Sequence, residues 1–120
     1  MPNAPIKLKR VYEPVEPKDG LRILVERLWP RGVSKEKAKI DYWVKDIAPS
    51  TELRKWYAHQ LERWPVFRER YIEELKVKPE VVSQVRAFCS GNQTVTFIYA
   101  ARDDAHNSAV VLKHFLETSS

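Results

Sequence analysis

Hydrophobic residues in this chain form three short strand patterns, two near its beginning and one near its end. Residues 6–12 alternate between apolar and polar, which predicts a strand with one solvated face. Residues 21–28 are apolar and β-branched at their centre and predict a second strand. Residues 94–100 place β-branched and aromatic residues on both faces, which is typical of a strand buried on both sides.

Helical patterns occupy the middle of the chain. Residues 34–39 predict a short helix with Ser34 as its N-cap, and Ser50 is placed to cap a helix from Thr51 to about residue 60. Two further amphipathic helices are predicted to open at Pro65 and Pro79, since proline is tolerated in the first turn of a helix.

A last helix is predicted over residues 104–117, capped by Asp103 or Asp104 and buried through Ala109, Leu112 and Leu116. Strands separated by helices predict a small single-domain α/β fold, with a central sheet that is at least partly parallel and flanked by helices. Its 120 residues are enough for one domain with its own core, and no linker divides them.

Charge is distributed unevenly. The chain carries a net charge of +5, and residues 1–40 hold ten lysines and arginines against five acidic residues, whereas the remainder is neutral. A local positive field attracts anions, whether small phosphates or a nucleic acid backbone. Because the excess is modest and no nucleic-acid motif is present, we expect any nucleic acid binding to be weak and non-specific.

The sequence predicts a cytoplasmic protein. Its apolar runs are far shorter than the roughly 20 residues of a membrane span, no signal-peptide pattern follows Met1, and a single cysteine fits a reducing compartment. We therefore expect no membrane partner. The oligomeric state is left open.

Two predicted strands end in arginine-bearing turns. The second strand ends near Arg27 and Arg31, and the last strand ends near Arg102. If these strands are parallel, their carboxyl ends meet at one edge of the sheet, where ligands of α/β proteins bind. Arginine forks match phosphate and carboxylate oxygens. Asp103 and His106 follow on the same turn and are candidate acid–base residues, against the simpler interpretation of a helix cap and a solvated histidine.

Metal and cofactor sites are not predicted. His59, His106 and His114 lack close ligand spacing, no Cys-x-x-Cys is present, and no glycine-rich phosphate loop appears. Cys89 lies on an apolar helical stripe, where a cysteine usually acts as a small hydrophobic residue.

Four blocks in order carry a family resemblance: Arg27 to Gly32, Trp43 to Ser50, Leu53 to Tyr57, and Tyr99 to Ala109. Over about residues 6–117 the chain resembles the short, YeaO-like branch of the domain-of-unknown-function 488 family. The resemblance implies a small prokaryotic protein with a compact α/β fold, and it implies no particular reaction. Other branches carry cysteines around the last strand end, where this chain has Tyr99 and Asn107, so thiol chemistry is not implied.

The motif positions that match coincide with the two strand ends and one helix start. As ligand-binding candidates they are Arg27, Trp29, Arg31, Ser50, Arg54, Tyr99, Arg102 and Asn107, and as catalytic candidates Asp103 and His106. The leading hypothesis is a protein that binds a small anionic ligand at the strand ends, with enzyme activity left open. The alternatives are a nucleic-acid-binding accessory protein that uses the basic first third, and an interaction module without a ligand.

Overall fold

The computed structural model describes residues 6–91 and 93–118, which form one parallel sheet with helices on both faces. The strands are β1 (Ile6–Arg10), β2 (Leu21–Leu24), β3 (Tyr42–Trp43) and β4 (Val95–Tyr99), in the order β1-β4-β2-β3. Every pairing is parallel. The predicted α/β class is confirmed, and so is the central position of the last strand, which pairs with both β1 and β2.

Five α-helices connect and cover the strands. They are α1 (Lys35–Ala38), α2 (Thr51–Tyr57), α3 (Trp64–Lys76), α4 (Pro79–Cys89) and α5 (Ser108–Thr118). The predicted caps of the first two are confirmed, since the Ser34 hydroxyl accepts from the Lys37 amide and the Ser50 hydroxyl from the Leu53 amide. Short 3-10 turns precede β2, α2 and α3, at Pro17–Asp19, Lys45–Ile47 and Leu61–Arg63.

The start of α5 corrects the sequence prediction. The helix begins at Ser108, four residues later than predicted, and Asn107 caps it by accepting from the Val110 amide at 3.0 Å. Asp103 caps a separate turn instead, because its carboxylate accepts from the amides of Ala105 and His106. The predicted cap at Asp103 or Asp104 is therefore wrong, because the Asp103 side chain bonds to nearby backbone amides and closes a turn that the helix does not continue.

One face of the sheet is apolar. Ile23, Phe97 and Tyr99 point into the main core, where α2, α3, α4 and α5 cover them. On the last helix Ala109 and Leu112 are fully buried in this core and Leu116 nearly so, as its stripe predicted. Hydrophobic burial of this kind is the main stabilising contribution to folding.

The opposite face is partly ionic. Leu24 and Ile98 form a small apolar patch there with Ala38 of α1. Next to them Arg22 and Asp19 are almost completely buried, and the Arg22 guanidinium donates to an Asp19 carboxylate oxygen at 2.6 Å and to the Ala38 carbonyl.

Further contacts complete this ionic face. Lys9 of β1 donates to the second carboxylate oxygen of Asp19 at 2.8 Å, and the Thr96 hydroxyl of β4 donates to the Asp19 carbonyl. Burial alone would raise the pKa of Asp19, but hydrogen bonds from Lys9, from the Glu16 amide and from Arg22 outweigh it and hold the pKa below its ordinary value. Asp19 is therefore held as a buried carboxylate.

Gly20 connects Asp19 to β2 through a position that only glycine fits. Its φ is 64°, in the left-handed region, and a Cβ there would lie 2.1 Å from the Thr94 carbonyl oxygen. The close approach lets the Leu21 amide donate to that same carbonyl at 2.9 Å, which begins the pairing of β2 with β4.

Within the described ranges, none of the helices combines the length and apolar character that crossing a membrane requires.

Candidate functional site

A cleft of about 670 Å³ lies at the carboxyl ends of β2 and β4. One side consists of residues that follow the two strands and open α5, namely Glu26, Leu28, Ala100, Ala101, Asn107 and Ser108. The other side consists of α2 and its surroundings, namely Pro49, Thr51, Arg54, Lys55, Tyr57, His59 and Phe67. We call it the strand-end cleft. It lies where parallel α/β sheets bind ligands.

Basic side chains line one side of the strand-end cleft. Arg54 and Lys55 lie on α2, and His59 lies just beyond its end. Ala58 and His59 both adopt left-handed backbone conformations, with φ of 45° and 55°. Such conformations are strained in residues with a side chain and are concentrated at functional sites. Here they turn the chain sharply after α2, so that His59 still lines the cleft that the helix borders.

Glu26 contributes a carboxyl group to the opposite side. Its Oε2 atom accepts a hydrogen bond of 2.9 Å from the Ala100 amide, just beyond the end of β4. Burial raises the pKa of Glu26, while this hydrogen bond and the charges of Arg54 and His59 act in the opposite direction without cancelling the effect of burial. The cleft thus combines cationic side chains with one partly desolvated carboxyl group.

Aromatic rings form the floor of the cleft. Tyr57 and Phe67 are buried and stacked with ring centroids 4.4 Å apart, and Trp64 continues the cluster at 5.7 Å from Phe67. The Tyr57 hydroxyl donates to the His106 carbonyl at 3.3 Å, which ties the floor to the turn before α5. Because Tyr57 and Phe67 are almost fully buried, they contribute apolar atoms to the floor of the strand-end cleft but no open ring face.

Asp103 and His106 form a pair beside this floor. The His106 Nδ1 atom lies 3.0 Å from Asp103 Oδ2, and its ring packs edge-on against Trp64. Hydrogen bonds from the Ala105 amide, and then from His106, lower the pKa of Asp103. An ionised carboxylate at this distance orients the imidazole with its Nδ1–H as donor. The predicted acid–base residues thus contact each other, and both lie outside the lining of the cleft.

Three of the predicted ligand residues make structural contacts. Arg27 donates to the carbonyls of Pro49 and Ala48 at 3.0 and 3.1 Å. Ser50 caps α2 and also bonds to Glu74. Trp29 donates to the Val33 carbonyl and packs against another tryptophan. Arg27 thereby fixes the segment that leads into α2.

The remaining candidates are divided between the cleft, the core and the surface. Arg54 and Asn107 line the strand-end cleft, and Tyr99 is buried in the main core. Arg31 and Arg102 are exposed and lie outside the lining, although β2 and β4 do end on the same side of the sheet as predicted.

Four lining residues with titratable side chains were missed as candidates: Glu26, Lys55, Tyr57 and His59. Glu26 could have been found, since it lies near the end of the strand predicted over residues 21–28, which was itself expected to end at a site. The other three depend on how α2 packs across the strand ends, for which the sequence carries no comparable signal.

A larger cavity of about 850 Å³ lies on the other side of α2, away from the strand ends. Trp56 forms part of its lining, with the Arg70 guanidinium 4.7 Å and the Arg63 guanidinium 5.3 Å from the ring centroid. Its glutamates, including Glu52 and Glu69, lie among apolar residues of α2 and α3. We favour the smaller cleft as the functional site, because basic groups converge there at the carboxyl ends of the strands, whereas four of the five charged residues that line the larger cavity are glutamates.

Metal and thiol chemistry find little support in the part of the chain that the structure describes. Residues 6–91 and 93–118 contain no group of three or more His, Cys, Asp or Glu side chains placed to hold a metal ion. Cys89 is buried among hydrophobic residues, and this burial raises the pKa of its thiol to about 11.

Comparison with known proteins assigns the chain to a family. Residues 5–120 match the family model DUF488-N3i, described as the inactive DUF488-N3 subclade. The chain belongs to this family. The uncharacterized protein YeaO of Escherichia coli K12 is 42% identical over 113 residues, which cover 94% of this chain and 97% of YeaO. The uncharacterized protein Rv3073c of Mycobacterium tuberculosis H37Rv is 42% identical over 111 residues, 92% of each chain.

No solved structure matches the chain. The expected membership of the DUF488 family is confirmed by the family model together with these bacterial relatives.

Proposed function

We propose that this DUF488-N3i protein binds a small anionic ligand, bearing a phosphate or a carboxylate, in the strand-end cleft. The observation that carries the proposal is the convergence of Arg54, Lys55 and His59 on one side of a cleft at the carboxyl ends of parallel strands. Guanidinium and ammonium groups bind phosphate and carboxylate oxygens through charge-assisted hydrogen bonds.

Binding is favoured over catalysis. The family description contains the word inactive, and Asp103 and His106, which we still regard as the candidate acid–base pair, lie beside the cleft rather than in its lining. In this proposal the pair supports the turn that leads into α5. Arg54 holds the anion, and Asn107 borders it.

One lysine that the nucleic-acid-binding alternative would use is already engaged in ion pairs. A broad basic face would have included Lys9, but this lysine is bound between Glu16 and Asp19. Lys35, Lys37 and Lys39 remain exposed around α1. These three lysines lie on the side of the sheet opposite the main core, so nucleic acid binding through them would not require Arg54.

Thermal unfolding in increasing phosphate or sulfate tests the proposal. A ligand that binds only the folded state stabilises it by about 2.7 kcal/mol at a concentration one hundred times its Kd. We expect the melting temperature of the wild-type protein to rise with either anion and Arg54→Ala to abolish most of the rise. Lys113→Ala is the matched control, since Lys113 pairs with Glu117 on the last helix, away from the cleft.

Two further variants separate the cleft from the strand-end arginines. Arg31→Ala and Arg102→Ala should leave most of the anion effect in place, because these side chains lie outside the lining. If Arg102→Ala removes the effect and Arg54→Ala does not, the anion binds at the turn after β4 and the cleft assignment is wrong. If neither anion changes the melting temperature of the wild-type protein, the interaction module without a ligand becomes the better hypothesis.

A further inference from the structure

The carboxyl group of Glu26 is difficult to explain if the ligand is a simple anion. It lines the same cleft as Arg54, Lys55 and His59, and a carboxylate repels a phosphate or a second carboxylate. A ligand that benefits from Glu26 must offer it N–H donors, because an ionised carboxylate can only accept hydrogen bonds.

The geometry of Glu26 fixes which part of it faces the ligand. Its Oε2 atom is held by the Ala100 amide at 2.9 Å, so the carboxyl group cannot rotate freely and its other oxygen is left for the cleft. A fixed acceptor of this kind is suited to reading the hydrogen-bonding edge of a bound molecule. Carboxylates read the exocyclic amino groups of nucleobases in this way.

The size and rim of the cleft indicate the rest of the ligand. About 670 Å³ is far more than an inorganic phosphate needs and lies within the range of sites for whole small molecules. The Tyr57 and Phe67 rings stack on each other and are almost fully buried, so the ring open to a ligand is that of His59, which is exposed at the rim 5.7 Å from Tyr57. Flat heterocycles stack on such rings.

From this combination we infer that the strand-end cleft binds a nucleotide group whose base presents N–H donors to Glu26 while its phosphate is held by Arg54 and Lys55. The inference rests on the proposed anion-binding function and specifies its ligand class. Guanine is the base chosen for the test, because its ring N–H and its exocyclic amino group lie on one edge and either can donate to the one Glu26 oxygen that faces the cleft. The nucleotide group is either a free nucleotide or one residue of a single-stranded RNA.

Isothermal titration with three phosphate compounds tests the inference. We expect guanosine monophosphate to bind the wild-type protein at least tenfold more tightly than ribose 5-phosphate, and inorganic phosphate to bind more weakly than both. Equal affinities for guanosine monophosphate and ribose 5-phosphate would overturn the inference while leaving the anion-binding proposal intact. No binding by any of the three would overturn both.

Glu26→Gln tests the contact with the base directly, because it should reduce the selectivity between two ligands without weakening the binding of both. The Ala100 amide should hold the glutamine carbonyl oxygen, so that the amide nitrogen faces the cleft and an acceptor is replaced by a donor. The advantage of guanosine monophosphate over ribose 5-phosphate should fall to threefold or less, with the affinity for ribose 5-phosphate unchanged. Arg54→Ala should weaken both compounds, and Lys113→Ala neither. An unchanged advantage in Glu26→Gln would show that Glu26 does not contact the base.

A guanine-containing single-stranded tetraribonucleotide distinguishes the two sources of the nucleotide group. We expect it to bind no more tightly than guanosine monophosphate, since the inferred contacts with Glu26, Arg54 and Lys55 involve one base and one phosphate. Tighter binding by the tetranucleotide would overturn the free nucleotide as the ligand and assign the cleft to RNA.

Discussion

The two faces of the sheet are both buried, but by different means. On the main-core face Ile23 and Phe97 are covered by helices through apolar contacts alone. On the ionic face Arg22 and Asp19 are buried just as deeply, and they depend on each other and on Lys9. Apolar contacts tolerate small displacements, whereas a buried charge requires its partner at hydrogen-bonding distance. A small displacement of a side chain should therefore destabilise the ionic face more than the main-core face.

The largest expected effect is on the ionic face. Asp19→Ala leaves the Arg22 guanidinium buried without its carboxylate, and breaking a buried pair in this way costs about 3–5 kcal/mol of unfolding free energy. Urea denaturation of the variant measures the loss. Glu16→Ala is the matched control, because Glu16 binds the same Lys9 from a half-exposed position, and the loss of unfolding free energy should be much smaller than for Asp19→Ala. Equal losses in the two variants would show that burial does not set the importance of the carboxylate.

Acid titration provides an independent readout of the same residue. Because the folded-state pKa of Asp19 lies below the ordinary value of about 3.9, its contribution to stability is complete above that value and is lost as the pH falls through the folded-state pKa. The unfolding free energy of the wild-type protein should therefore decrease below about pH 4. Asp19→Ala should decrease less steeply over the same range.

On the main-core face the expected effect is somewhat smaller. Leu112→Ala removes a fully buried side chain of α5 and should cost about 2–5 kcal/mol, measured by urea denaturation. His114→Ala, on the exposed side of the same helix, should leave stability unchanged within error. A loss below about 1 kcal/mol for Leu112→Ala would mean that α5 repacks freely over the sheet. Its acid dependence should match the wild type, unlike that of Asp19→Ala.

The smallest expected effects concern the residue that follows one helix on each face of the sheet. Lys39 follows α1 and Ala58 follows α2, and both adopt the left-handed conformation, with φ of 49° and 45°. That conformation costs a residue with a Cβ about 1–2 kcal/mol, while glycine loses about 0.5–1 kcal/mol more chain entropy on folding. Lys39→Gly and Ala58→Gly should each stabilise the protein slightly, by up to about 1 kcal/mol in thermal unfolding. Destabilisation by either would indicate that the native side chain makes contacts outweighing its backbone strain.

The sequence predicted the fold better than it predicted the site, for a physical reason. The two-sided hydrophobicity of residues 95–99 and the cap at Ser50 are local signals, and both describe the structure correctly. The two-residue strand β3 was missed, because a segment this short has almost no periodicity. Its pairing with β2 depends on tertiary contacts instead.

Site prediction fails where a side chain's role depends on the path of the neighbouring chain. Arg27 was correctly placed at a strand end, but its guanidinium is engaged by the Ala48 and Pro49 carbonyls, which no pattern around Arg27 reveals. His59 borders the cleft because of two successive left-handed residues that contain no glycine signal. Arg54 and Asn107 were found through the family motif blocks and not through helix periodicity, since Asn107 precedes a helix that was predicted to begin at residue 104.

The position of β4 also constrains how the protein can assemble during synthesis. In the described sheet β1 and β2 are not neighbours, since each pairs with β4, which lies about 70 to 90 residues further along the chain. A nascent chain that ends before residue 95 therefore has strands with no partner between them. Contacts this distant in sequence require closure of long loops before they stabilise anything. The pairings of β1 and β2 with β4 can form only after residues 95–99 have left the ribosome, and until then the only partner that β2 has within the described sheet is the two-residue strand β3.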